Sequence, residues 1–108
     1  SFDTVEDDKD NDGLFLCYIV TDVRFTPLLD RCKNEIIFNH IVYGAKEINP
    51  TDKFECYRYY IDDKTPINSY AFCNGNRIIS VDFSWEPSEE EIIFAAEKLL
   101  NSENSYAL

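Results

Sequence analysis

The stretch Ser69–Phe83 reads SYAFCNGNRIISVDF, and its reading decides the fold. Two runs rich in aromatic and β-branched residues flank Asn74-Gly75. Such residues suit a pleated, half-buried surface. Asn-Gly between them supplies the positive φ angles that a tight hairpin needs. The pattern predicts strands over 69–73 and 77–83, paired antiparallel. An antiparallel sheet is therefore the frame for the rest of the chain.

Upstream, Lys53–Ile61 (KFECYRYYI) is the most strand-like stretch, bounded by turns at 49–52 and 62–66. Alternation places Cys56, Arg58 and Tyr60 on one face and Glu55, Tyr57 and Tyr59 on the other. Residues 14–20 (LFLCYIV) form a continuous apolar run and predict a buried strand. Thr26-Pro27 suits a helix start, because proline at the first position lacks only an N–H that would be unpaired there. Leu29, Cys32 and Ile36 follow at helical spacing, which predicts a central helix over 27–38. The runs 36–38 and 41–43 also suit a strand, and Gly44 ends that segment. Downstream, Ser88-Glu89-Glu90-Glu91 is a capping box. It opens a helix over 89–100 whose stripe Ile92, Ile93, Ala96, Leu99 and Leu100 should pack on the sheet.

The expected class is α+β: a small antiparallel sheet with one central and one C-terminal helix. An extended or mobile acidic arm over 1–12, a single domain over 13–101 and a frayed tail over 102–108 complete the division. With 108 residues and 44% apolar content, the chain can bury a core. No apolar run approaches the ~20 residues that span a bilayer. The net charge of −11 repels nucleic-acid backbones and anionic membranes and suits a basic protein partner or a cation.

The four cysteines are Cys17, Cys32, Cys56 and Cys73. They lack the close ligand pairs of a zinc site, and the only histidine is His40. An even count in a short chain predicts two disulfides, with all three pairings open. The chain has no methionine, even at position 1, which fits a processed, secreted form whose signal peptide is gone. The one Asn-x-Ser/Thr match, Asn49-Pro50-Thr51, is blocked by its proline.

Near the N-terminus, Asp8, Asp10, Asp12, Gly13 and Phe15 match positions 1, 3, 5, 6 and 8 of a calcium-binding EF-hand loop. The twelfth position is Ile19, which cannot ligate. Calcium would need a closing acid from elsewhere, with Asp3 and Asp22 as candidates. Otherwise the segment is a solvated acidic arm. No other cofactor is expected. The aromatic set Tyr57, Tyr59, Tyr60, Tyr70, Phe72 and Trp85 suits either a core or a protein-binding face.

The order strand, helix, antiparallel strands resembles the small guanine-specific fungal ribonucleases and the ribonuclease-like secreted effectors of plant-pathogenic fungi. NRIISVDF (76–83) looks like that family's strand with an arginine followed by two β-branched residues. The resemblance implies Arg77 as the phosphate contact, Glu55 as general base and His40 as the earlier histidine. It covers about residues 17–83. The family's second histidine, a general acid that follows the arginine, has no counterpart, since no histidine follows His40. Loss of such a proton donor costs about 10²–10⁴ in rate.

The expected function is that of a secreted, non-enzymatic binding protein, such as a pathogen effector or host-interaction protein. It would grip a protein partner through a tyrosine-rich face that includes Tyr57 and Tyr59. The alternatives are a weak guanine-specific ribonuclease using His40, Glu55 and Arg77, and a calcium-binding extracellular module using Asp8, Asp10 and Asp12.

Overall fold

The computed structural model describes residues 2–6, 15–38 and 44–102. Five antiparallel strands lie between residues 15 and 83: β2 (Phe15–Asp22), β3 (Gly44–Ile48), β4 (Glu55–Tyr60), β5 (Pro66–Asn74) and β6 (Arg77–Phe83). Strand β1 (Phe2–Glu6) adds an edge, so the sheet runs β1-β2-β6-β5-β4-β3. The fold is α+β, with short α1 (Leu29–Lys33) on one face and α2 (Glu89–Leu100) on the other. Among the described residues, no helix is long and apolar enough to cross a membrane.

The β5–β6 hairpin forms as its sequence demands. Asn74 pairs with Arg77, so Gly75 and Asn76 make the turn, and Gly75 takes φ of 59°. The left-handed conformation costs glycine little because it has no Cβ. The turn is also anchored. Asn76 Nδ2 donates to the Val23 carbonyl at 2.8 Å and to Thr26 Oγ1 at 3.0 Å.

Each face of the sheet carries its own core. Cys56, Tyr70, Phe72, Ile79, Val81 and Phe83 pack under Ile92, Ala95, Ala96 and Leu99 of α2. On the reverse face Tyr57, Tyr59, Ala71, Cys73 and Ile78 pack with Ile37 and Val23. Phe54–Phe72 and Tyr70–Phe83 meet edge to face with centroids 5.8 and 5.6 Å apart. Such pairs add about 0.5–1.5 kcal/mol beyond burial.

The structure corrects four expectations. Phe2–Glu6, expected as part of an extended or mobile acidic arm, is a strand paired with β2. Gly44 opens a strand, GAKEI, where it was expected only to end a segment. The central helix is divided into a 3-10 turn (Thr26–Leu28), α1 and a π-helical turn (Asn34–Phe38). The β-branched pair Ile36-Ile37 crowds a regular helix, and the wider turn accompanies full burial of Ile37.

The fourth correction concerns the disulfides. All four cysteines are free thiols. Cys56 pairs with Phe72 and Cys73 pairs with Glu55, an offset of one residue. One residue of offset in a strand reverses the face. Cys56 therefore lies in the core under α2 and Cys73 in the opposite core. Cys17 lies on β2 beside Asp82 of β6, and Cys32 lies on α1. Burial pushes the Cys56 and Cys73 thiols up to about 12.

Candidate functional site

Helix α2 packs over β5 and β6 and leaves the inner-face residues of β2 beside it only half-covered. The gap is a groove of about 500 Å³. Leu16 and Tyr18 of β2, Phe83 of β6, and Trp85 form its floor and one end. Phe94, Ala95 and Leu99 of α2 form the facing wall, with Glu90, Glu91 and Lys98 at the rim. Concave, mainly apolar sites of roughly 300–1,000 Å³ with a few polar groups are the usual form of a binding pocket.

The groove is built by the start of α2. Ser88 Oγ accepts from the Glu91 N–H at 3.2 Å, and Glu91 Oε1 accepts from the Ser88 N–H at 2.8 Å. The same Glu91 oxygen accepts the indole N–H of Trp85 at 3.1 Å. One carboxylate thus caps the helix and orients the tryptophan. The Ser88 backbone N–H, then the indole, hold the Glu91 carboxyl below its usual range. Phe83 braces Trp85 edge to face with centroids 5.1 Å apart.

Phe94 is the outlier of the helix. It is 67% exposed, the highest value among the exposed large apolar side chains of the described residues. Ile92, Ala95, Ala96 and Leu99 hold the buried face, so Phe94 points to the groove mouth. Lys98 Nζ lies 5.9 Å from its ring.

The residues expected from sequence occupy other places. Glu55 lies on the face opposite α2 and accepts from Lys33 Nζ at 2.9 Å and from Tyr57 OH at 2.6 Å. These two donors, Tyr57 first, hold its carboxyl below the usual range. The hydrogen bond from Lys33 raises the lysine in return. Burial first, then Glu55, pushes the Tyr57 phenol up. Arg77 lies on the α2 face, bound to Asp22. Glu55 and Arg77 therefore do not converge on one phosphate.

Tyr57 and Tyr59 were expected to form a partner-binding face, but both are buried, at 8% and 2% exposure. The segment 34–38 covers them, and Tyr59 OH donates to the Ile36 carbonyl at 3.0 Å. Phe38 packs edge to face on Tyr57. A partner could reach these rings only by displacing that cover. His40, Asp8, Asp10 and Asp12 lie outside the described residues. Among the described residues, no group of three or more His, Cys, Asp or Glu side chains could hold a metal ion.

Sequence reasoning included Trp85 in the aromatic set but missed Phe94. A signal was present: an aromatic residue off the apolar stripe of a well-capped helix. No protein-family model matches the chain, and neither a curated protein nor a solved structure matches it significantly.

Proposed function

We propose that this chain is a non-enzymatic binding protein that takes an amphipathic, basic helix of a partner protein in the groove between β2 and α2. The observation that carries the reading is Phe94, an aromatic side chain held largely in water at the mouth of an apolar groove. An amphipathic helix laid in such a groove buries anchors at i, i+3 or i+4, and i+7. The chain's net charge of −11 and the rim carboxylates Glu90 and Glu91 select lysine and arginine on the polar side of that helix.

Catalysis by Glu55 and Arg77 forms no part of this reading, because the two project from opposite faces of the sheet. Free thiols at all four positions remove the disulfide argument for a secreted protein. The groove reading does not depend on compartment.

The test is selection from a displayed library of amphipathic helices, with the Phe94→Asp protein as counter-selection. Enrichment of basic helices by the wild-type chain alone supports the reading. Enrichment without charge preference, or equal enrichment by Phe94→Asp, contradicts it.

A further inference from the structure

On the other side of α2 lies a second cleft, of about 230 Å³. Ile48, Pro50, Pro87 and Ile92 give it apolar walls, and Arg58, Tyr60 and Tyr70 line its base. We propose that this cleft binds a single carboxylate carried on a small apolar or aromatic body, with Arg58 as the anion contact.

Four observations converge on Arg58. The first is its pairing. The chain holds 21 acids against 10 lysines and arginines. Yet the four ion pairs of the described residues use Arg31, Lys33, Lys53 and Arg77, and none includes Arg58. Glu89 also lines the cleft but makes no ion pair with Arg58, and a partly buried charge without a direct ion-pair partner is costly to keep. Its hydrogen bonds go to neutral acceptors instead. Nε donates to the Ile67 carbonyl at 3.0 Å and Nη2 to Asn68 Oδ1 at 3.3 Å. Those bonds fix the guanidinium plane and engage two of its five N–H donors. Arginine's planar fork suits a carboxylate in two-point contact.

The second observation is the neighbour. Lys46 of β3 is the register partner of Arg58. Like charges directly opposite on a sheet are destabilising. Lys46 Nζ donates to the Asp63 carbonyl at 2.9 Å and lies 4.6 Å from the Tyr60 ring centre, whereas the Arg58 guanidinium carbon lies 5.2 Å from the ring centre of Tyr70 and stays at the cleft. The third is the backbone. The β4–β5 register shifts between Arg58 and Tyr60, and bulges re-aim side chains at binding sites. The fourth is the cleft itself, whose size suits a group no larger than one side chain. Glu89 in its lining and the chain's overall negative charge oppose anions, polyanions most of all, so the site suits at most the one negative charge that Arg58 can hold.

The experiment is an amide NMR titration of the full chain with 3-phenylpropionate, and with 3-phenylpropan-1-ol as its neutral counterpart. The acid should give saturating shifts at Ile48, Arg58 and Tyr60. The alcohol should bind at least ~10-fold more weakly, a difference of about 1.4 kcal/mol. Arg58→Gln should bring the two ligands to the same weak affinity. Lys46→Gln changes an exposed cation outside the cleft lining and should keep the fold and hold the acid's affinity within about 2-fold. Equal binding of acid and alcohol by the wild type, absence of saturating shifts with the acid, or shifts confined to the groove around Trp85 would each overturn the proposal. It stands apart from the helix-binding reading, since the two clefts share no lining residue.

Discussion

Arg77 grips Asp22 through both oxygens, with Nε–Oδ1 at 2.7 Å and Nη2–Oδ2 at 3.0 Å. Its remaining nitrogen, Nη1, donates to the carbonyls of Leu99 at 3.0 Å and Ser102 at 2.6 Å. One guanidinium therefore joins β2, β6 and the C-terminal end of α2. That end carries partial negative charge from its unpaired carbonyls, so a cation there is favourable. Both side chains are mostly shielded, at 14% and 28% exposure.

Arg77→Met should therefore cost about 2–4 kcal/mol, because it strands Asp22 and uncaps the helix. Urea denaturation measures the loss. Asp22→Asn should cost less, and the double variant less than the sum of the two singles. Full additivity, or a loss below about 0.5 kcal/mol for Arg77→Met, would contradict the joint role.

At the other end of α2, Ser88→Ala should cost about 1 kcal/mol through loss of the cap. Glu91→Gln keeps an acceptor for the Trp85 indole, whereas Glu91→Ala removes it. Trp85 is the only tryptophan, so its emission reports this contact cleanly. Emission should move in Glu91→Ala and hold in Glu91→Gln.

Acid stability follows from the same carboxylate. The folded protein holds Glu91 and Glu55 below their ordinary value of 4.5. A depressed carboxyl contributes stability above its unfolded value and loses it as pH falls through the folded value. Stability should decline on acidification from about pH 4.5 downward. The slope should be shallower in Glu91→Gln. An unchanged slope in that variant would count against the contact.

The thiols set the alkaline limit. Cys56 and Cys73 ordinarily titrate at 9.0 and are raised to about 12. Burial likewise raises Tyr59 from 10.0 to about 12. A raised group contributes its stability in full below the unfolded value and loses it as pH rises through the folded value. Each thiol should weaken the fold by about 1.4 kcal/mol per pH unit across that window. A thiol reagent at neutral pH should reach half-buried Cys17 and Cys32 before buried Cys56 and Cys73. Reductant should leave the Tm unchanged.

Much of the scaffold was legible because local signals agreed there. Arg77–Phe83 and Glu89–Leu100 fall where period and capping placed them, and the turn chemistry of Asn74-Gly75 announced the hairpin. Strands β1 and β3 were missed for a common reason. Each is a short edge strand of five residues with charged side chains, and little in FDTVE or GAKEI marks a buried face. Edge strands often carry charge to discourage aggregation. The cysteines misled because an even count says nothing about faces. Tyr57 and Tyr59 were set on the correct face, but the cover supplied by residues 34–38 comes from tertiary packing. The groove was least legible, since its walls come from strands and a helix far apart in sequence. Only Phe94, off its stripe, marked the place.

The most direct test of the account is a fluorescence titration of Trp85 with a basic amphipathic helical peptide, repeated with Phe94→Asp. Phe94 is largely exposed, so the variant should keep its Tm within a few degrees. The wild type should show a saturable change in emission, and the variant should lose it, with at least ~10-fold weaker binding. A peptide of the same apolar face with acidic residues should fail on both. If the variant binds as tightly as the wild type, or the acidic peptide binds as well as the basic one, the groove is not the binding site described here.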